Sequence, residues 1–384
     1  MKKTPKIVIA SDSFKGTLSQ EEICALGVRT VNRLFPGAEC VCVPIADGGE
    51  GSVDCFLAAA GGERVRVPAV RDCTGAERAA DYAILPDGKT AVIEVAAAAG
   101  ITLCGEEKQP MTASTYGVGQ QIAHAVAKGC SEIILCLGGS ATTDAGCGLA
   151  AALGVEFYDK NGKKFIPAGG TLKDVCRIGG RPALGGARLR ALCDTSAPLW
   201  GVRGAAYVYA PQKGATPEQV RLLDDGLCRV GGLMNDYCAA NYGACDLSQM
   251  PGGGAAGGIG ACAVALLGGS LCPGIAAFLE LTQFEEKVRG ADLVITGEGK
   301  LDSQSLTGKA AVGVARACRK AGVRCVALVG TVGDLPDPAA PAAEGISAIY
   351  TSAGDPPRMP RDSAEAQEAY EKALEGLLRG EFCR

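Results

Sequence analysis

The sequence predicts an α/β protein of two domains, one inserted into the other, and three observations predict it. Short β-branched runs at 7–10, 41–45, 293–296, 325–330 and 346–351 are followed by loops and helical patterns, as in a parallel sheet with helical crossovers. Two of these runs precede residue 50 and three follow residue 290, so a single sheet built from them makes the middle of the chain an insertion. That middle has a different pattern: runs at 64–70, 78–85 and 90–95 are separated by Cys-Thr-Gly and Pro-Asp-Gly turn signals, as in an antiparallel meander. The expected boundaries are 1–63 with 286–384 for the outer domain and 64–285 for the inserted one, with a cleft between them.

The remaining elements follow in order. Ser19 is a helix cap after the first strand. A helix at 115–128, a strand at 132–137, a Gly-rich loop, a helix at 149–153 and a hairpin around 159–162 follow the meander. Residues 247–279 carry no charge, yet nine Gly with Pro251 and Pro273 interrupt them, so they read as a Gly-rich loop entering a buried helix at 255–267 rather than a membrane span. A helix at 310–320, Pro-rich surface loops at 336–341 and 355–360, and an amphipathic helix at 364–378 complete the chain.

Composition excludes several classes of function. At 384 residues the chain can bury a sizeable core without disulfides. Its 38 Lys+Arg against 42 Asp+Glu give a net charge of −4, and no basic tract is longer than two residues, so the footprint of a nucleic-acid binder is missing. The 19 Cys contain no C-x-x-C pair and His124 is the only histidine, so zinc clusters and thioredoxin-like motifs lack their ligands. Residues 1–16 pass straight into a strand pattern, and Asp12 breaks an apolar run too short for a secretory signal, so a reducing cytoplasm is expected. Glycine is the outlier, with 55 residues, roughly twice the usual share of about 7%.

Four polar, Gly-rich segments follow predicted strands, where ligands of open α/β sheets bind. The first, Ser11-Asp12-Ser13-Phe14-Lys15-Gly16-Thr17, offers Lys15 as a clamp for phosphate or carboxylate and Ser13 as a hydroxyl donor. In the second, Ala46-Asp47-Gly48-Gly49-Glu50-Gly51-Ser52, carboxylates flanked by glycines suit Mg²⁺ or acceptance of a substrate proton. The third runs from Gly138-Gly139-Ser140 through Thr143-Asp144 to Gly148; small residues and hydroxyls ahead of a helix make a candidate phosphate cradle. In the fourth, Glu298, Lys300, Asp302 and Lys309 are positioned to hold Mg²⁺ and anionic oxygens, and Lys309 opposes the following helix dipole unless an anion binds nearby. No P-loop is present. Gly252–Gly257 satisfies G-x-G-x-x-G, but Ser-Gln-Met-Pro rather than a strand precedes it, which disfavours a nicotinamide oxidoreductase. Carboxylates, lysines and hydroxyls without histidine point to phosphoryl transfer; a non-catalytic anion-binding module would not need the clustered carboxylates.

In this order the four segments resemble the glycerate kinase type-1 family from about residue 6 to 378, as do Cys193-Asp194-Thr195 with Pro198-Leu199 and Ala210-Pro211-Gln212-Lys213-Gly214-Ala215. The resemblance implies a flavodoxin-like domain carrying an inserted α/β domain, and ATP-dependent phosphorylation of D-glycerate, usually to 2-phosphoglycerate, with Mg²⁺. Small-molecule acid and nucleotide are then the expected partners, without nucleic acid or membrane; a homodimer is compatible with the sequence, which does not determine it. Lys15, Asp47 and Asp194 are the expected catalytic groups, with Asp194 or Asp47 orienting or deprotonating the acceptor hydroxyl. Ser13, Gly48, Gly49, Glu50, Gly138, Gly139, Ser140, Thr143, Asp144 and Lys309 are expected to bind substrate and phosphates, and Glu298 and Asp302 to bind metal. The chain departs from the family pattern at Ser11, Thr143, Ala145, Ala197, Lys300 and Ala311, none of which is one of the expected catalytic or metal-binding residues.

Overall fold

The computed structural model describes all residues except 1–3, 15, 106–107, 336, 355–357, 359 and 384. Two compact units result: Met1–Asp47 with Ala58–Ala60 and Ile275–Arg384, and Gly48–Leu57 with Gly61–Gly274.

The first unit is built on a five-stranded sheet. Its spatial order is Ile346–Thr351, Cys325–Val329, Leu293–Gly297, Lys6–Ser11 and Glu39–Cys42, and all four pairings are parallel. Renumbered along the chain this is 5-4-3-1-2, the flavodoxin-like order, whose direction reverses between Lys6–Ser11 and Leu293–Gly297. The central strands read as nearly continuous apolar runs because both faces are covered. Ile7, Ile9, Leu293, Ile295, Val326 and Leu328 form one core with helices Gln20–Leu34 and Ser363–Phe382. Helix Ala310–Ala321 packs on the strands with its own buried stripe, outside that core.

Local chemistry starts and holds these helices. Ser19 Oγ accepts from Glu22 N at 3.2 Å while Glu22 returns the contact to Ser19 N at 2.8 Å, a complete capping box. The first and last helices are also joined at their exposed edges, where Arg29 and Arg33 meet Glu371 at 2.7 and 3.2 Å.

In the second unit a six-stranded sheet runs Ser270–Cys272, Arg188–Leu192, Glu132–Cys136, Thr90–Glu94, Glu77–Ile84 and Glu63–Arg71. The first four are mutually parallel and the last three form the expected antiparallel meander, so Thr90–Glu94 serves both patterns. The expected hairpin at 159–162 joins Val155–Tyr158 to Lys164–Phe165 in a small separate sheet. Sequence reading missed Arg188–Leu192 and Ser270–Cys272: the first is five residues long with two arginines among them, and the second is only three residues long.

Some element boundaries differ from expectation, for backbone reasons. The buried helix expected at 255–267 is Ile259–Ala265, preceded by a short turn at Ala255–Gly257, because Ala256, Gly257 and Gly258 all adopt positive φ. No described helix is long and apolar enough to cross a membrane. Within the loop expected at 336–341, Ala340–Ala343 forms a short helix with Pro341 in its first turn, where a missing N–H costs nothing. Pro336 and most of 355–360 lie outside the described residues.

Stability of the first unit rests on the buried stripe of its terminal helix. Leu374 is wholly buried, so Leu374→Ala is expected to cost about 2–5 kcal/mol. Ser19→Ala, which removes only a cap, is expected to cost about 0.5–2 kcal/mol. Urea unfolding of the two variants beside the wild type measures both.

Candidate active site

In the first unit the loops leaving the ends of Lys6–Ser11 and Leu293–Gly297 flank the point where strand order reverses. There they border a cavity of about 420 Å³ lined by Asp12, Ser13, Asp47, Glu298, Lys300 and Lys309, among others. The loop after Leu293–Gly297 runs close to the neighbouring strand: a Cβ on Gly297 would sit 2.1 Å from Leu328 O. Asp12 is held in place, its N–H donating to Gly297 O at 3.0 Å and its carboxylate accepting from Ser13 N at 2.6 Å and Gln20 Nε2 at 3.1 Å.

Glu298 is the electrostatic anomaly of this cavity. Its Oε1 is buried without a hydrogen-bond partner among the described residues. Burial raises its pKa to about 7; the Ser305 hydroxyl and Lys309 act against that, while the Asp12 and Asp302 charges add to it. Asp302 is different. Its Oδ2 lies 3.3 Å from Lys300 Nζ and its Oδ1 accepts from Gln304 N at 3.0 Å; these contacts outweigh desolvation and lower its pKa. Lys309 stands at the N-cap of the 12-residue helix Ala310–Ala321 and donates to Gln304 Oε1 at 3.2 Å.

No group of three or more His, Cys, Asp or Glu side chains with metal-binding geometry occurs among the described residues. The donor set nevertheless fits Mg²⁺, which usually takes one or two carboxylates and completes its shell with phosphate oxygens and water. Glu298 supplies an orphaned oxygen for it; Asp302, expected beside it as a ligand, is already committed to Lys300 and its own turn. Lys15 lies outside the described residues.

The second unit gathers the remaining predicted residues at the C-terminal ends of its parallel strands. Gly138 N donates to Gly48 O at 2.9 Å. The approach is tight enough that a Cβ on Gly138 would lie 2.5 Å from Gly49 Cα and one on Gly48, at φ +93°, 2.8 Å from Leu192 Cβ. Behind this contact, Glu94 at the end of its strand accepts from Val53 N at 2.7 Å, capping helix Ser52–Ala60, whose own N-cap, Gly51, has no side chain. Burial raises the Glu94 pKa despite that bond.

The loop from Gly138 to Gly148 turns its chemistry inward after Gly139. Asp144 is fully buried and accepts from Thr115 N, Thr115 Oγ1, Gly146 N and Gly148 N at 2.9, 2.8, 3.0 and 3.3 Å. Thr143 is also fully buried, its Oγ1 without a partner among the described residues, and Ser140 Oγ engages Thr142 Oγ1 at 2.9 Å. Asp144 and Thr143, expected to meet phosphates, are therefore internal; the carboxylate takes the amides that an external anion would need. Lys213, almost wholly buried, donates to Thr142 O at 2.6 Å, and burial pushes its pKa down to about 8 against the attraction of Asp144. Asp194 lies exposed beyond Arg188–Leu192, its Oδ1 accepting from Gly274 N at 2.9 Å.

Sequence reasoning passed over Asp12, Glu94 and Lys213 as functional residues. Asp12 and Lys213 stand inside the quoted motifs, and Glu94 is the lone charge closing an apolar strand, which was the available signal.

Two outcomes follow. Asp144→Ala leaves three buried amides and a hydroxyl unpaired, so it is expected to destabilise by more than about 3 kcal/mol, each lost partner costing about 1–3 kcal/mol; denaturant unfolding checks this. Because the folded pKa of Glu298 lies above its ordinary value of 4.5, its contribution to stability is complete below pH 4.5 and is lost as pH rises through about 7. In metal-free buffer, Glu298→Gln is expected to flatten that limb of the melting temperature against pH.

Comparison with known proteins gives one answer. The sequence profile of the glycerate kinase family matches residues 7–380. The chain is 39% identical over 379 residues to a glycerate kinase of Bacillus cereus, covering 97% of this chain and 95% of that protein. It is 38% identical over 350 residues to the glycerate 2-kinase of Escherichia coli K12, covering 90% of each. A crystal structure of a candidate glycerate kinase 2 from Salmonella typhimurium LT2 superposes with a TM-score of 0.81 at 33% identity, covering 98% of this chain and 97% of that one. A two-domain α/β fold with a flavodoxin-like sheet, and these matches along nearly its full length, establish that the chain belongs to the glycerate kinase family, a family of phosphotransferases.

Proposed function

We propose that the protein transfers the γ-phosphoryl group of ATP to a hydroxyl of D-glycerate, forming 2-phosphoglycerate, with Mg²⁺ as the counter-charge. The observation that carries this reading is the cavity at the strand-order reversal, which Asp12, Asp47, Glu298, Lys300 and Lys309 line together. A site with both signs of charge suits a polyphosphate and its cation.

In this reading the hydroxyl oxygen forms a bond to the γ-phosphorus as the bond to the β–γ bridging oxygen breaks, and ADP leaves with that electron pair. Asp47 accepts the hydroxyl proton; its support is that it lines the same cavity as Glu298 and Lys309. Asp194 remains the second candidate, although one of its oxygens is engaged by Gly274 N. Lys309 and Lys300 offset charge on the transferring phosphoryl group. Glu298, with Asp12 near it, would hold Mg²⁺, whose charge neutralises phosphate oxygens in phosphotransferases generally. The name of the Escherichia coli relative supports phosphorylation at the 2-hydroxyl.

ADP release from ATP and Mg²⁺ with D-glycerate, L-glycerate or no acceptor, with the product resolved by phosphorus NMR, tests the reading. D-glycerate-dependent release giving 2-phosphoglycerate is expected; equal ATP loss without acceptor overturns it. Asp47→Asn is expected to lower kcat by about 10²–10⁴ with little change in KM, and Asp194→Asn by less; near wild-type turnover in both removes carboxylate base catalysis. Because metal binding needs an ionised Glu298, the Mg²⁺ concentration for half-maximal activity is expected to rise by about tenfold per pH unit below 7. Glu298→Gln should remove this dependence and raise the Mg²⁺ requirement at every pH.

A further inference from the structure

The cavity of the first unit is bounded by two kinds of surface, and all of its lining residues belong to that unit. Its floor is the C-terminal edge of the sheet: Asp12, Gly299, Gly330 and Ala353 line it, each one or two residues beyond a strand. Phe14, Leu18 and Ala366 line it too, and they belong to the core shared by helices Gln20–Leu34 and Ser363–Phe382. The Phe14 ring is fixed there, edge-on to Tyr370 with centroids 5.6 Å apart. Val8, Val294 and Ala327 alternate with members of that core along their strands and are buried outside it, so the sheet has a second covered face. Helix Ala310–Ala321 packs on the strands outside the first core, and its start brings Lys309 and Ala310 to the cavity. An apolar wall therefore stands on one side of the sheet edge and a cationic one on the other.

The apolar wall has few hydrogen bonds left to give. Phe14 N donates to Leu18 O at 2.9 Å, while Thr17 N and Leu18 N donate to Phe14 O at 2.8 and 3.0 Å. Ala366 N donates to Asp362 O at 3.1 Å, and Thr17 Oγ1 turns back to Phe14 O at 2.9 Å. At the floor, Ala353 N donates to Gly330 O at 3.1 Å and Ala353 O accepts from Arg358 N at 2.9 Å. A ligand group lying here gains from apolar contact and from the aromatic ring, not from directed bonds. Inorganic polyphosphate meets the lysines and leaves this wall bare. A flat heterocycle joined to a polyphosphate covers both walls, and a volume of about 420 Å³ falls within the range of small-molecule sites.

We propose that Phe14, Leu18 and Ala366, with Ala353 at the floor, hold the base of the nucleotide by apolar contact alone, so that the protein accepts purine nucleoside triphosphates with little choice between bases. The inference rests on the kinase reading above and adds how its phosphoryl donor is recognised. An apolar pocket separates similar ligands by about 10²-fold at most, whereas one that hydrogen-bonds a polar edge reaches about 10⁴–10⁵.

Two measurements test it. The first is wild-type kcat/KM for ATP, GTP and ITP at saturating D-glycerate and Mg²⁺; values within about 10²-fold of one another are expected. The second is calorimetric titration of wild type, Ala366→Leu and Ala353→Leu with ADP and separately with inorganic pyrophosphate, each with Mg²⁺. Because the added carbons take the volume that the base needs, the Kd for ADP is expected to rise by about tenfold or more, with that for pyrophosphate within about twofold of wild type. Ala353 is only half-buried, so Ala353→Leu serves alone if Ala366→Leu does not fold. Discrimination between the purines beyond about 10²-fold, unchanged ADP affinity in a folded variant, or loss of pyrophosphate binding in step with ADP overturns the wall and leaves the kinase reading intact. If the wild type phosphorylates D-glycerate with none of the three nucleotides, the kinase reading falls and titration judges the wall alone. ADP binding that the variants weaken then supports it; no ADP binding overturns it.

Discussion

A parallel strand covered on both faces can offer polar chemistry only at its ends. Its side chains point alternately into two apolar layers, and its backbone groups are used by its neighbours. Both units obey this constraint. Ile7, Ile9, Leu293 and Ile295 are buried, and their strands end in Ser11-Asp12 and Gly297-Glu298. In the second unit, Ala91, Val92 and Ile93 are buried ahead of Glu94, and Ile133 to Cys136 ahead of Leu137-Gly138-Gly139. Asp12, Glu298 and Glu94 therefore stand at or just beyond strand ends.

Those carboxylates divide by what they have already bound. Asp144 is surrounded by four donors and closes the start of helix Cys147–Ala152, so it builds the loop instead of meeting a ligand. Glu94 shares this structural duty through Val53 N, and Asp302 is neutralised by Lys300. Glu298 keeps one buried oxygen without a donor among the described residues, and burial, helped by the charges of Asp12 and Asp302, holds its proton more tightly than an exposed glutamate would. An unsatisfied buried charge costs stability unless a cation or proton completes it, and it is tolerated where binding depends on it.

The high glycine content has a packing counterpart at the same edges. Gly138 against Gly49, Gly48 against Leu192 and Gly297 against Leu328 O are approaches in which a methyl group would overlap its neighbour. These residues allow loops from different parts of the chain to lie backbone to backbone, which brings residues about 90 positions apart, such as Gly48 and Gly138, into one hydrogen bond. Side chains at those points would hold the loops apart.

The sequence by itself determined the outer strands, the meander and the polar segments at strand ends. Hydrophobic period and turn residues are local properties, so the five outer strands, the meander, the Ser19 cap and the polar segments after strands were legible without coordinates. The type of the buried Gly-rich stretch was legible too, but its limits were not, because left-handed backbone at Ala256 has no side-chain signature. Tertiary structure decided which polar groups were spent and which were left over. Asp144 and Glu298 look alike as acidic residues in Gly-rich loops, yet one meets Thr115, 29 residues away, and the other keeps an oxygen without a donor. Arg78 on an alternating strand reads as an ordinary surface cation until Arg64 and Arg66 are found paired and its Nε is found buried without a partner among the described residues. Satisfaction of a buried polar group depends on partners brought from elsewhere in the chain, and only the packed fold supplies them.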